Sequence, residues 1–501
     1  MFGVCLFVGL YYAVRSTGTY QDDDIDHYFL AVQALRDPAL FLDRWGMPGF
    51  TLAIALPARL FGYLGVEVFT AVASAGAAAA AAWTARRLGI AHPWLAGGLT
   101  FFQPIALELC HSGLAEPLAA LLLAVSLAFW YAGRPDRALF AAGWLPLVRI
   151  EAGFLLAVLL AVGWSRASWP ARIGAVLPSA LWNFGGFLLT GELLYILVPG
   201  QERPLNSLGA FHYARNLVVV AGPVVVFFLV WAVAARVHPV RRREARFPAL
   251  AAGLAAGHLV VLSLLAWESL PFGRSIGFLR HAVVLAPVFG LLAAWGFHDW
   301  SSGSARPRFL RAGLSVLWAG AVAVGLSHTL LAHSLVVEGR AEGRWIVTAV
   351  LAAAGGVLLF RPAGARLRRA LAVALGVGML GAGLGVVRPV GLDAERRGVL
   401  EAVEYLRKND LDSRKIYTNH PWFAFLTGRD RYDLETTPRL TLDALDHAPP
   451  GSLVLWENHY GPRLYGDVPI DTLRADPRFE RILELSGGRF RLVMFHRRED
   501  G

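Results

Sequence analysis

Apolar runs separated by short polar gaps recur about every 20 to 30 residues through the first ~390 positions of this 501-residue chain. A bilayer core takes ~20 apolar residues per helical crossing, so the pattern predicts a polytopic α-helical membrane protein. About 13 spans are expected, at roughly 1–14, 66–85, 93–110, 117–132, 138–148, 150–164, 172–190, 216–235, 248–267, 280–298, 309–332, 345–360 and 370–387. The stretch 47–65 is also apolar, but Pro48, Pro57 and Arg59 make it a juxtamembrane piece of a long first loop. The pair 138–148 and 150–164 is short for two crossings and reads as a half-buried hairpin with Arg149 near its tip.

From about Leu392 the pattern changes. Residues 393–409 show amphipathic helical spacing, "RKIYTN" and "GSLVLWEN" read as strands, and "FERILELSGGRFRLVMFHR" reads as a terminal hairpin. The expected organisation is therefore a transmembrane domain over 1–391 and a small soluble α/β domain of three to five strands over 392–501.

Charge orients this array. Arginines gather in the loops around 86–87, 134–137, 166–172, 236–246, 306–311 and 361–369, with only Asp136, Glu244 and Asp299 as acids. By the positive-inside rule these loops are cytoplasmic. An odd number of spans then places the C-terminal domain outside the cytoplasm, and a bacterial inner membrane suits the whole. The net charge of +10 is explained by these loops, and no basic patch interleaved with aromatics points to nucleic acid. The N-terminal run "MFGVCLFVGLYYAV" has no basic start and reads as a retained helix, not a signal peptide. Cys5 and Cys110 both belong to apolar segments, which leaves no thiolate metal set.

On the side opposite the arginine loops lie the residues able to do chemistry. "YQDDDIDHYF" places Asp22, Asp23, Asp24 and Asp26 at the start of a helix-like segment, where free amides and the helix dipole favour ionised acids. A carboxylate there can serve as a general base; the plain alternative is a solvated acidic loop. Glu116, before Pro117, is either a helix-start residue or a cavity acid. Arg149 and Glu151 interrupt an apolar stretch, as a structural ion pair or as the lining of a cavity. Arg274, Arg280 and His281 stand at the outer end of a span, placed to bind phosphate or simply to snorkel. In the tail, "TNHPWFAFLTGRD" and "WENHYGPRLYG" suit sugar stacking or a domain core.

Taken in order, "DDDIDHYFLA", "LFGYLG", "AAWTARRLG", "FQP", "HSGLAEPLAALLLA", "LVRIEAGFLL" and "GFLRHAVVLAP" resemble the GT-C superfamily of membrane glycosyltransferases, which includes protein O-mannosyltransferases and the aminoarabinose transferase of lipid A. The resemblance covers about residues 1 to 300. It implies transfer of a sugar from a polyprenyl-phosphate carrier to a lipid, glycan or protein acceptor at the outer membrane face. It places the base on Asp23, with Asp24 as the second choice, and a further cavity acid on Glu116. Asp22, Asp26, His27, Arg149, Glu151, Arg274, Arg280 and His281 are the candidate substrate-binding residues, with Arg280 matched to the carrier phosphate. No cofactor is implied. The D-x-D spacings could hold a divalent ion, but a phosphate leaving group paired with arginine has less need of one. The competing readings are a transporter or flippase, whose polar residues would sit near mid-span, and a scaffold whose tail does the binding.

Overall fold

The computed structural model describes residues 1–197, 211–236, 246–266, 277–301, 389–462 and 468–499, with isolated positions between 366 and 387. The chain divides into two compact units, Met1–Val14 with Asp37–Arg388, and Arg15–Arg36 with Pro389–Gly501.

The first unit is helical, with α1 (Phe2–Arg15) leading into it. Beyond α2 (Asp22–Ala34), which belongs to the second unit, come α3 (Pro48–Arg87), α4 (Pro93–Phe101), α5 (Pro104–Glu108), α6 (Glu116–Tyr131), α7 (Pro135–Ala142), α8 (Leu145–Val148), α9 (Gly153–Gly163) and α10 (Trp169–Thr190). Proline at the first or second position opens α3 to α8 and α10, where its missing N–H is no loss. Pro48–Arg87, Trp169–Thr190 and Leu279–Ser301 are long and apolar enough to cross a membrane. Pro104–His111 and Glu116–Tyr131 make a pair bent by 113°. On α10, Ile173, Leu177, Leu181, Phe184 and Leu188 form an exposed apolar face of the kind lipid covers. The first ten expected spans all fall on helices, several of them broken; those at 309–332, 345–360 and nearly all of 370–387 lie outside the described residues.

The stretch 47–65 and the expected span 66–85 form one helix, α3, kinked within that stretch. Its helical geometry breaks at Gly62, at φ 64° and ψ −154°, a conformation that a side chain would strain. Leu52, Leu56 and Leu60 are exposed before the break, and Phe50, Ile54 and Ala58 are buried on the other face. Beyond it, alanines let the backbones approach: Ala77 packs with Ala120 and Ala124 of α6. At the C-terminal end of α6, Arg166 lies over Trp130 and Arg137 over Phe129, while Asp136 accepts the backbone N–H of Ser168 at 2.8 Å. The loops 134–137 and 166–172 therefore share one end of the unit, and cation–π stacking occupies Arg137, Arg166 and Arg172.

The second unit contains a four-stranded sheet in the order β1 (Ile416–Tyr417), β2 (Leu453–Glu457), β4 (Phe490–Arg497), β3 (Phe479–Gly487). β1 and β2 are parallel, and the other pairs are antiparallel. β2 is buried along its whole length, whereas β3, at the edge, is largely exposed. Tyr417, Val454, Trp456, Val493 and Phe495 build the core on one face. The amphipathic helix Ala394–Lys408 packs on β3 and β4, its start fixed by Asp393, whose side chain accepts from the Arg396 amide.

This unit differs from the expected domain in taking residues 15–36 with it. The Thr17 and Gly18 amides donate to the Val390 carbonyl, and the Val390 amide donates to Ser16 Oγ. Gly18 comes so close to Gly391 that a Cβ would lie 2.5 Å from its carbonyl oxygen. α2 then packs against the helix Pro421–Thr427, with Tyr28 edge-on to Phe425.

Candidate functional site

In the first unit, four of the residues singled out from the sequence meet at the N-terminal end of α6, the end opposite the arginine loops. Glu116 is fully buried and makes no side-chain cap. Instead its Oε1 lies 3.3 Å from Arg149 Nη1 and 3.5 Å from Arg280 Nε. Arg149 is the extended residue, φ −148° and ψ 115°, that breaks the chain between α8 and the turn Ile150–Ala152. That break turns its guanidinium onto Glu151, with Nε 2.7 Å and Nη2 2.5 Å from Oε1. Arg280 comes from the turn Leu279–Leu285, is 5% exposed, and lies over the Phe278 ring at 4.7 Å. His281 meets that same ring edge-on.

Two guanidinium groups and two carboxylates thus share one buried site inside an apolar helical unit. Such pairs are weak contributors to stability, because desolvation offsets much of their attraction. Ionisable groups placed among apolar helices pair with one another or line a cavity, and these do the first. Sequence reasoning missed His258, which is fully buried on the helix Arg246–Leu265 with neither ring nitrogen hydrogen-bonded among the described residues. A single histidine in an apolar run carries no local signal beyond core packing. Arg274 lies outside the described residues.

The aspartate run belongs to the second unit, and helical geometry sends its members to different partners. Asp24, fully buried at the third position of α2, accepts the Tyr20 amide at 2.9 Å and the Gln21 amide at 3.4 Å, closing a capping box. Asp22 takes Arg396 Nη2 at 3.2 Å on Oδ1 and the Tyr460 hydroxyl at 2.6 Å on Oδ2. Asp26, one turn later on the same face, pairs with Arg431. Asp22, Asp24 and Asp26 therefore do not converge as a D-x-D metal set. Asp23 is half-buried in the first turn, and His27, one turn later, is buried.

Around Asp22 lies a second group that sequence reasoning did not single out by residue. Glu395 Oε1 is 3.0 Å from His420 Nε2 and 2.8 Å from His459 Nδ1. Burial works against its charge, but these two hydrogen bonds outweigh it and hold the carboxyl well below the usual range. Burial also opposes a charged His459, and its bond to Glu395 overrides this and raises it. The Tyr460 phenol is pushed far up by burial and by Asp22, so it acts as a donor. The aromatic tail segments otherwise serve the core: Trp422 and Trp456 are buried, Trp456 Nε1 donates to the Val468 carbonyl, and the Asn419 side chain brackets the Leu440 backbone. Stacking of a sugar on those two tryptophans is thereby ruled out, since neither ring face is open.

No protein-family model matches this sequence, and no curated protein is significantly similar to it. Solved structures are. ArnT from Cupriavidus metallidurans in the apo state superimposes with a TM-score of 0.64 at 16% identity, over 99% of this chain and 97% of that one. The chain has the ArnT fold. ArnT bound to undecaprenyl phosphate gives a TM-score of 0.63 at 15% identity, over 98% and 96%. The aligned residues span nearly the whole of both chains.

Proposed function

We propose that this protein is a GT-C glycosyltransferase that moves a hexosyl or pentosyl group from a polyprenyl-phosphate carrier to an acceptor at the outer face of a bacterial cytoplasmic membrane. The observation that carries this reading is the buried Glu116–Arg149–Glu151–Arg280 set at one end of α6, in a chain with the ArnT fold. An ArnT structure holds undecaprenyl phosphate, the class of carrier that such arginines suit.

In this reading an acceptor hydroxyl gives its proton to Asp23 and its oxygen attacks the anomeric carbon. The bond from that carbon to the phosphate oxygen breaks as the new glycosidic bond forms, with inversion. The electron pair leaves with the polyprenyl phosphate, a group whose charge arginine suits, and the first unit's candidates for that role are Arg149 and Arg280. Asp23 is preferred to Asp24 because the capping box commits Asp24 to two backbone amides. Glu116 keeps the two arginines together and charged.

The test is release of radiolabelled sugar from a panel of polyprenyl-phosphate sugars by membranes containing the wild type or Asp23→Asn. Consumption of one donor by the wild type, lowered about 10²–10⁴-fold in a folded Asp23→Asn protein, supports the reading. A folded wild type that consumes no donor of a broad panel overturns it.

A further inference from the structure

We propose that Asp22, Glu395 and His459 bind one divalent cation, of the zinc or manganese type, which fastens the start of α2 to the domain built by residues 389–501. The three residues lie in the second unit, and one donor atom from each falls within 4.8 Å of the other two. Ligands around a four-coordinate ion at about 2.0–2.2 Å stand roughly 3.4 Å apart, so the ion would replace the 2.8 Å His459–Glu395 hydrogen bond, opening that pair slightly while Asp22 closes on it. Two carboxylate oxygens and one imidazole nitrogen form a hard-to-borderline set, which suits Zn²⁺ or Mn²⁺.

The surroundings resemble an outer shell built to hold these ligands. His420 Nδ1 accepts the Trp422 amide at 3.2 Å, which leaves its proton on Nε2. That proton is donated to Glu395 Oε1, so His420 orients the carboxylate and is not itself a ligand. The Tyr460 hydroxyl orients Asp22 in the same way. Glu457, itself buried, accepts the His459 amide at 2.6 Å and the Tyr460 amide at 2.9 Å, and the two rings stack 4.1 Å apart. The loop that presents His459 is therefore fixed, although the side chain keeps 42% of its exposure and so leaves an entry path. Arg396 pairs with Asp22 and Asp393, whereas among the described residues Glu395 meets only the two imidazoles of His420 and His459. This site uses one aspartate of the run and two residues from more than 370 positions downstream, so it is distinct from the D-x-D spacing and independent of the transferase reading.

The test uses the full chain in detergent, stripped with chelator and titrated with ZnCl₂ or MnCl₂ alone. The readouts are bound metal by elemental analysis, calorimetry and the thermal midpoint. One equivalent bound at saturation, with a rising midpoint, is expected for the wild type. His459→Ala should weaken binding at least about 100-fold and Tyr460→Phe about tenfold, and His447→Ala, on an exposed histidine elsewhere in the unit, should bind as the wild type does. Because His459 is half-exposed, its alanine variant keeps the test open even if Glu395→Gln fails to fold. Absence of saturable binding by ~100 μM metal, or binding unchanged in His459→Ala, overturns the site and leaves the direct His459–Glu395 hydrogen bond as its whole content.

Discussion

Both units bury arginines against carboxylates, but the two sets are assembled differently. In the first unit Glu116, Arg149, Glu151 and Arg280 come from breaks and ends of apolar helices that pack through alanine and leucine without them. In the second unit Asp22 with Arg396 and Asp26 with Arg431 join α2 to a domain encoded hundreds of residues later. The first set links α6 to the 149–151 break and to the turn Leu279–Leu285 through buried charge alone, the arrangement on which the proposed ligand role rests. The second supplies the attachment of a short segment, and there charge does structural work.

That contrast can be broken. The largest effect is expected from Glu116→Leu combined with Arg280→Leu. Transfer should fall by about 10²–10³-fold or more once the charge at the leaving phosphate is unsupported. The unfolding midpoint should stay level or rise, because apolar replacement of both partners removes a desolvation burden. A fall in stability with transfer intact would reverse the roles assigned to the two sets.

Arg396→Ala addresses the other side. It leaves Asp22 buried without its cation and should destabilise the second unit by about 3–5 kcal/mol, measured by denaturant unfolding and by proteolysis within residues 16–36. Unchanged protease resistance there would count against the attachment role. Asp24→Ala removes the capping-box acceptor and should cost about 1 kcal/mol while leaving most of the transfer activity, in contrast to Asp23→Asn. Loss of transfer in a stable Asp24→Ala protein would move the base to Asp24. The smallest effect is expected from Asp26→Asn, whose side chain and that of Arg431 are 25% and 20% exposed, and a change within about 1 kcal/mol is anticipated.

Much of this was legible along the chain because it depends on local pattern. Apolar runs marked the helices, the charge at Arg149 marked a break between two of them, and alternation after Leu392 marked the terminal β-hairpin. Gly488, with φ 61° in the turn between β3 and β4, fits the "SGG" that closes that hairpin. The four candidates Glu116, Arg149, Glu151 and Arg280 were each visible as a charge among apolar neighbours, although no spacing in the sequence showed that they meet.

The sequence by itself determined that this is a chain of apolar helices with charge sorted to their ends, an acidic helix start after the first helix, and a sheet-forming tail. Each of those follows from periodicity and composition within a window of one or two turns. Only the tertiary structure decided which acids of "DDDID" are structural. Tyr460 and Arg396 reach Asp22 across sequence separations of 438 and 374 residues, and such partners leave no trace in a local pattern. The helical twist that parts Asp22 from Asp24 is local, but what stands on either side of it is fixed by the fold.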